Sequence, residues 1–228
     1  MDALVNELMK ELNCDTVFTI PVLGGIPVKE SVVVTWIIMA VFLLAAFLLT
    51  RNLKVEHPSR RQLFLEFVVT WIQGISEGIV GEEGKRYASY LTSVLIYLGI
   101  ANLIGILGFK PPTKDLNVTA ALALMSIVLI EYAGIHEKGV KRWLKSFAEP
   151  IALVAPINIM EVAIKPLSLC MRLFGNVLGA FVIMKLIEYV LPVGLPVIFS
   201  AYFDLFDGLI QAYVFVFLTG LFIKESME

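Results

Sequence analysis

The sequence predicts an all-α membrane protein that crosses the bilayer several times. Hydrophobic residues make up 58% of its 228 residues and charged residues only 17%, whereas soluble domains average about 45–50% apolar residues. Several apolar runs reach or approach the roughly 20 residues that a helix needs to cross a bilayer. These runs lie near residues 31–50, 88–107, 117–135, 149–190 and 193–223. A water-soluble globule is therefore excluded.

The cysteines and histidines exclude several kinds of site. Cys14 lies in the N-terminal segment and Cys170 in an apolar run, so we expect neither a disulfide framework nor a cysteine-rich metal site. His57 and His136 have no second histidine at the spacing of zinc proteases. The N-terminus lacks the charged-then-apolar design of a cleaved signal peptide. We expect no metal and no cofactor, and at a net charge of −2 no nucleic-acid partner.

Basic residues sort to one side of the apolar runs. Ten of the 18 Lys and Arg residues follow the first run, precede the second or follow the third. The positive-inside rule places these segments in the cytoplasm, so the acidic N-terminal segment and the 108–116 turn lie outside. The ten residues are Arg51, Lys54, Arg60, Arg61, Lys85, Arg86, Lys138, Lys141, Arg142 and Lys145.

The stretch between the first two basic clusters carries polar groups among its apolar residues. A full crossing would bury Glu66, Gln73 and Glu77 at depth. An interfacial amphipathic helix fits this composition better, and it keeps both flanking basic clusters on one side of the membrane.

The segment from Glu149 to Val190 is too long for an upright crossing. As one helix it would extend about 63 Å, against a hydrocarbon core of about 30 Å. It is either a hairpin that bends near Pro156 or Pro166, or a single, strongly tilted helix, and the prolines alone do not decide between them. Two ordinary crossings here would move the C-terminus outside.

A polar stripe runs along this long segment. At about 100° per residue its members fall within an arc of about 100°, which is one helix face. An arginine at bilayer depth costs from about 3 to more than 10 kcal/mol and by default marks a functional site. The alternatives are a buried ion pair of Arg172 with Glu161 or Glu131, and a simple structural pair between Glu161 and Lys165. The stripe consists of Glu161, Lys165, Ser168, Arg172, Gly175, Asn176 and Gly179.

The last apolar run carries a second polar stripe. The same arithmetic places five of its residues on one face. Two carboxylates one turn apart in an apolar helix should perturb each other's titration, as proton-handling sites require. The alternative is an exposed aqueous mouth near the start of the helix. The stripe consists of Ser200, Asp204, Asp207, Gly208 and Gln211.

The stretch SLCMRLFGNVLGA resembles subunit a of the F-type ATP synthase. The hallmark of that family is an arginine in a Leu-Arg-Leu-Phe-Gly-Asn context, and here Met171 stands at the first leucine. Three further segments agree in order and spacing, so the resemblance extends from about residue 30 onward. They are PPTKDLNVT at 111–119, IKPLSL at 164–169 and LIQAYVF at 209–215.

The resemblance implies five transmembrane helices plus an interfacial amphipathic helix, the last two transmembrane helices being long and steeply tilted against a ring of c subunits. It implies that the N-terminus lies outside and the C-terminus in the cytoplasm, and the short acidic N-terminus, which lacks the features of a transit peptide, favours a bacterial plasma membrane. The implied partners are the c-subunit ring, the b-subunit peripheral stalk, the rest of the ATP synthase and the lipid bilayer. The implied segments are 1–30 (extracytoplasmic), 31–50 (first transmembrane helix), 62–82 (interfacial helix), 88–135 (transmembrane hairpin) and 149–223 (two tilted helices).

The resemblance also assigns residue roles. Arg172 matches the essential arginine, Asn176 lies one turn further on, and Gln211 faces the arginine from the last helix. Asp115 and Asn117 match the outer loop and helix-start motif.

Position 181 departs from the family pattern. The family often has Glu or His there and a His or an acid at position 204, whereas this chain has Phe181 and Asp204. Asp207 is expected to substitute for the missing polar group. Asp204 and Asp207 would then line an outer half-channel, and an inner one would be lined by Glu161, Ser168 and Glu131.

The function implied is translocation of H⁺ or Na⁺ through two offset half-channels, coupled to rotation of the ring and to ATP synthesis. Arg172 suits the barrier between them because a guanidinium stays protonated and relays no proton. We expect a hydrated, non-locking contact with the ring carboxylate, and hydrogen bonds from the guanidinium to Asn176 and Gln211. The stretch GIVGEEGKR at 78–86 lacks the spacing of a phosphate loop, so no ATP catalysis is expected of this chain. The alternatives are an ion-coupled secondary transporter and a non-transporting scaffold.

Overall fold

The computed structural model confirms the all-α fold class and adds one small β-hairpin. It describes residues 16–21, 26–51, 53–54, 58–107, 110–147, 154–190, 199 and 201–227. The strands β1 (Thr16–Ile20) and β2 (Ile26–Lys29) pair antiparallel before the first helix. The hairpin was not predicted, although the run TVFTI has the β-branched and aromatic residues typical of strands.

The α-helices of the described residues follow the apolar runs. Short 3₁₀ turns at Ile104–Leu107 and Pro112–Lys114 connect the third and fourth helices. A π-helical segment, Ala201–Asp207, leads directly into the last helix. The helices are α1 (Glu30–Thr50), α2 (Arg60–Val80), α3 (Lys85–Leu103), α4 (Leu116–Lys138), α5 (Val140–Ser146), α6 (Ala155–Val190) and α7 (Gly208–Met227).

Capping residues account for the bounds of α2 and α4. The hydroxyl of Ser59 accepts a hydrogen bond from the backbone N–H of Gln62, so α2 begins there. α4 begins after Asp115, whose carboxylate accepts from the backbone N–H of Asn117. Both helices end at a glycine with positive φ, Gly81 at 72° and Gly139 at 77°, a conformation that other residues rarely adopt.

Five helices of the described residues are long and apolar enough to cross a membrane. The number agrees with the prediction, but the set includes α2, which was expected at the interface, and omits α3, which was expected as the first arm of a hairpin. Eight residues of α3 are buried, and it packs against α2 and α7. Much of its surface therefore faces protein, where polar residues are tolerated at membrane depth. The five spans are Glu30–Thr50, Arg60–Val80, Leu116–Lys138, Ala155–Ile187 and Leu205–Met227.

The long polar segment forms one helix. α6 runs without a break through 36 residues, so the hairpin alternative is wrong for 155–190. At 1.5 Å per residue the helix is about 54 Å long, well above the roughly 30 Å of a hydrocarbon core. Pro166 lies inside the helix without ending it, and Pro156 lies in its first turn, where proline is tolerated. The predicted start at Glu149 lies outside the described residues.

α7 lies at the centre of the bundle. It packs against α2, α3, α4 and α6; of the predicted hairpin partners, α3 packs mainly against α7 and α4 packs extensively against both α6 and α7. Gly220 permits close approach of α2, because an added Cβ would lie 2.5 Å from Ile79. The buried residues of α7 form one face: Gly208, Ala212, Phe215, Val216, Thr219, Gly220, Ile223 and Met227.

The bundle has two ends, named here for a residue at each. At the Asp115 end, Ser31 of α1 donates to Asp115, and Asn102 of α3 donates to Gly208 of α7. At the Lys165 end, Lys165 lies 3.3 Å from Glu225. α6 and α7 therefore run antiparallel, since α6 reaches the Asp115 end near its C-terminus and α7 near its N-terminus.

The basic clusters around α3, α4 and α5 gather at the Lys165 end. Arg86 at the start of α3 lies 3.9 Å from Glu137 at the end of α4. The hydroxyl of Ser226 donates to the carbonyl of Ile130, which places the C-terminus of α7 beside the same part of α4. Six of the ten residues predicted to be cytoplasmic belong to this region: Lys85, Arg86, Lys138, Lys141, Arg142 and Lys145.

Candidate functional site

The polar stripe of α6 lies on the surface of the chain, beside the face that packs. Leu169, Cys170 and Leu173 are buried, and α6 packs against α4. The stripe is turned roughly 100° from these residues around the helix. Glu161, Ser168, Arg172 and Gly175 are exposed, whereas Lys165, Asn176 and Gly179 are half-buried.

Arg172 is exposed, and within the described part of the chain no hydrogen bond or ion pair holds its guanidinium. The ion-pair alternative is wrong for this structure: Glu161 lies 3.9 Å from Lys165, and Glu131 accepts from the indole of Trp143 at 3.0 Å. The predicted hydrogen bonds to Asn176 and Gln211 are also not formed among these residues. The amide of Gln211 instead donates to Asp207 at 3.5 Å, one turn away on its own helix.

An apolar and uncovered surface surrounds Arg172. Leu167 and Met171, which precede it on α6, are 60% and 51% exposed. A Cβ added to Gly175 or Gly179 would meet nothing within 4 Å. An exposed apolar surface of this kind marks a contact with lipid or with another protein, and Arg172 places a fixed positive charge within it.

Lys165 joins α6 to α7. Its ammonium lies 3.9 Å from Glu161, which confirms that pair, and 3.3 Å from Glu225 of α7. It also lies 5.3 Å from the centroid of the Phe222 ring. Glu225 was missed because spacing within one helix identifies only partners three or four residues away.

The second polar stripe contains a π-helical segment, Ala201–Asp207, which leads into α7 at Gly208. The predicted face rests on 100° per residue, whereas the i→i+5 pattern of a π-helix fits more residues into each turn, so the spacing of the residues before Asp207 relative to those after it differs from that prediction. Gly208 is buried against Asn102, whereas Asp207 and Gln211 are half-buried and bonded to each other. Ser200 and the side chain of Asp204 lie outside the described part of the structure.

Asp115 anchors the end of the bundle that bears its name. Its buried carboxylate accepts from the hydroxyl of Ser31 at 2.7 Å and from the backbone and side-chain nitrogens of Asn117, each at 3.0 Å. Lys29 lies 3.6 Å away. Burial alone would raise the pKa of Asp115, but the bonds from Ser31 and Asn117 and the charge of Lys29 outweigh it, and the pKa is lowered. The ionised carboxylate therefore caps α4 and ties it to α1.

A buried cation lies beside Phe181. The ammonium of Lys114 sits 3.4 Å from the centroid of the Phe181 ring, in cation–π geometry. Lys114 is only 5% exposed. The position that lacks the expected polar side chain thus has a charged neighbour from the PPTKDLNVT loop. That contact was missed because it joins segments far apart in the chain.

Comparison with known proteins identifies the family. A family model described as "ATP synthase A chain" matches residues 32–224. The chain is 38% identical over 207 residues to "ATP synthase subunit a" of Moorella thermoacetica, covering 90% of this chain and 94% of that protein. It is 35% identical over 206 residues to "ATP synthase subunit a 2" of a Bradyrhizobium species, covering 90% and 92%. It is 31% identical over 219 residues to "ATP synthase subunit a, sodium ion specific" of Propionigenium modestum, covering 89% and 75%. The chain belongs to the ATP synthase A chain family.

Proposed function

We propose that α6 and α7 form the stationary wall along which H⁺ or Na⁺ passes to and from a ring of c subunits. Family membership makes the chain a multi-pass membrane component of the ATP synthase, in complex with other subunits of that enzyme. This proposal rests on the exposed guanidinium of Arg172, which no residue of the described structure pairs, in an apolar face that no described segment covers. A c subunit with a carboxylate at mid-membrane has the complementary charge.

Arg172 acts as the barrier between the two half-channels. Its guanidinium attracts a deprotonated carboxylate and cannot relay a proton. Two unit charges about 4 Å apart attract by about 4 kcal/mol at an effective dielectric of 20, whereas the membrane potential supplies about 2.3 kcal/mol per charge per 100 mV. A dry, bidentate pair would be stronger and would stall the ring. The contact is therefore hydrated, and the bare surface at Gly175 and Gly179 leaves room for the passing helix.

Arg172 and Gln211 belong to the same seam between α6 and α7. Lys165 contacts Phe222 and Glu225 across this seam. Helical spacing places Arg172 on the Lys165 side of α6 and Gln211 on the Phe222 side of α7. Because the helices are antiparallel, both residues lie further along the seam toward the Asp115 end.

The two half-channels start at opposite ends of the bundle. Asp204 and Asp207, with Asp115 and Asn117 near the loop, line the outer half-channel. The inner half-channel begins at the Lys165 end and ends near Arg172, which separates the two paths along α6. It is lined by Glu161, Ser168 and Glu131.

The Lys165 end faces the cytoplasm of a bacterial cell, and α2 lies at that interface. The basic residues at this end support the orientation through the positive-inside rule. A cysteine replacing Ser226, in a chain whose native cysteines are replaced by serine, should react with an impermeant thiol reagent in inverted vesicles and stay protected in intact cells. The opposite labelling pattern would reject both the orientation and the five crossings.

Co-purification tests the proposed function. The affinity-purified chain, extracted in mild detergent, should carry a small two-helix proteolipid with a mid-membrane carboxylate, together with the b subunit of the peripheral stalk. A secondary transporter or a scaffold would purify without this proteolipid. Recovery of the intact chain without it, under conditions that retain other ATP synthase subunits, would contradict the proposal.

A further inference from the structure

Asn102 of α3 joins two distant segments inside the bundle. Its side-chain nitrogen donates to the carbonyl of Gly208 at 2.9 Å, and its side-chain oxygen accepts from the hydroxyl of Thr113 at 2.9 Å. Asn102 is 4% exposed and Thr113 is fully buried. Both polar groups of one buried amide are thereby satisfied, and an unpaired group at such a site would be costly.

Asn102 donates to the carbonyl of Gly208, which is the first residue of α7 and directly follows the π-helical segment. Gly208 lies against Asn102 so closely that an added Cβ would be 2.9 Å from the Asn102 Cβ. The π-helical segment also packs against α3 and the 3₁₀ turn Ile104–Leu107. Contacts with α3 and the 3₁₀ turn that follows it therefore hold the junction between the π-helical segment and α7 in place.

This junction sets the direction of the neighbouring polar side chains. Asp207 immediately precedes Gly208, and Gln211 follows it by less than one turn. Because the two residues flank Gly208 within about one helical turn, a displacement of the Gly208 backbone away from α3 would carry both side chains with it. The hydrogen bond from Gln211 to Asp207 spans four positions across Gly208 and links the two side chains.

We propose that Asn102 is a positioning residue: its amide fixes the π-to-α junction and so directs Asp207 and Gln211 into the ion pathway. The inference rests on the proposed function of α7. Asn102 touches neither Asp207 nor Gln211 through any described hydrogen bond and acts on them through the backbone of Gly208.

The test compares three variants of the assembled complex in proteoliposomes, using ion pumping driven by ATP hydrolysis across a range of pH. Asn102→Leu, which removes both hydrogen bonds, should reduce pumping about tenfold at every pH. Asn102→Asp should keep both bonds while its carboxyl is protonated, since the O–H donates to Gly208, and should lose the donor once ionised. Its pumping relative to the unchanged complex should therefore recover to within about twofold at acid pH and fall about tenfold at alkaline pH.

Thr92→Val is the matched control, because Thr92 of the same helix donates to Ser76 of α2 at 3.0 Å, away from the junction. It should pump within about twofold of the unchanged complex at all pH values. Two charged residues are next in sequence to the partners of Asn102: Lys114 follows Thr113, and Asp207 precedes Gly208. Neither is changed in the three variants, so both are present in every comparison.

A pH profile of Asn102→Asp parallel to that of the unchanged complex would overturn the inference, as would an equal loss in Thr92→Val. Chain content, measured by immunoblot, corrects each rate for assembly. The double variant Asp204→Asn, Asp207→Asn distinguishes a failure of the positioning role from a failure of the proposed ion pathway. If it impairs pumping while the Asn102 variants do not, the positioning role fails alone; if it has no effect, the proposed pathway itself fails.

Discussion

Replacing Arg172 with alanine is expected to reduce ATP synthesis driven by an ion gradient by a hundredfold or more, as measured in proteoliposomes that contain the assembled complex. The substitution removes the fixed charge that faces the ring carboxylate, an attraction of about 4 kcal/mol at 4 Å. Since each 1.4 kcal/mol corresponds to about a factor of ten, a hundredfold loss follows even if water screens part of this attraction. The exposed side chain makes no described contact that the substitution would break within the chain, so assembly should be preserved.

Arg172→Lys tests whether a positive charge at this position is sufficient or whether a guanidinium is required. Lysine keeps a positive charge in water, but its ammonium is a compact point charge that loses its proton more readily than a guanidinium when desolvated. We expect a loss of more than about tenfold. Arg142→Ala, which removes an exposed arginine of α5 outside both stripes, should leave synthesis close to that of the unchanged complex. Substantial coupled synthesis in Arg172→Ala would remove the arginine from the mechanism.

The double variant Asp204→Asn, Asp207→Asn is expected to lower ion flux about tenfold, measured as the initial rate of ATP-driven acidification or Na⁺ uptake in the same vesicles. Asparagine preserves the volume of each side chain and can still accept a hydrogen bond from Gln211, but it neither carries the negative charge nor exchanges a proton. An outer half-channel with no ionisable group would supply ions to the ring more slowly.

Glu137→Gln is the matched control for these acids. Glu137 is a carboxylate at the opposite end of the bundle, 45% exposed and 3.9 Å from the 52% exposed Arg86, and an exposed pair of this kind contributes little. Its flux should match that of the unchanged complex. Unchanged flux in the double aspartate variant would reject the assignment of the outer half-channel to this face of α7.

Periodicity predicted the face of α6 because α-helical geometry alone determines it. Residues 155–190 form one unbroken helix, so the seven stripe residues between Glu161 and Gly179 lie on one side of it. Because Leu169 and Leu173 are buried on another side, the stripe faces outward. The start of α4 at Asp115 was likewise predictable, since a capping aspartate acts on backbone N–H groups within its own turn.

Spacing could not predict the features that depend on distant segments or on a change of helix type. The bond from Asn102 to Gly208 joins residues 106 positions apart. The contacts of Lys165 with Glu225 and of Lys114 with Phe181 also link separate elements. The π-turn shifted the register of the second stripe, because an arithmetic of 100° per residue holds only within an α-helix.

The dependence on distant segments also explains why α2 is among the five candidate membrane spans and α3 is not. Hydropathy measures how apolar a helix is, without showing whether its neighbours are lipid or protein. α3 carries Asn102 and Tyr87 at buried positions because other helices enclose them, whereas the buried residues of α2 are Ser76 and Val80. A criterion of length and composition therefore selects α2 and omits α3, although α3 is the better enclosed helix.

If Arg172 separates two half-channels, its removal should let ions leak through the membrane sector, and the decay of an imposed ion gradient measures that leak. The assembled complex is reconstituted into vesicles without ADP, so that the ring cannot turn productively, and the decay of the gradient is followed for the unchanged chain and for Arg172→Ala. We expect slow decay for the unchanged chain and several-fold faster decay for Arg172→Ala, in vesicles that no longer make ATP once ADP is added. A gradient held as tightly by Arg172→Ala as by the unchanged chain would contradict this role of Arg172.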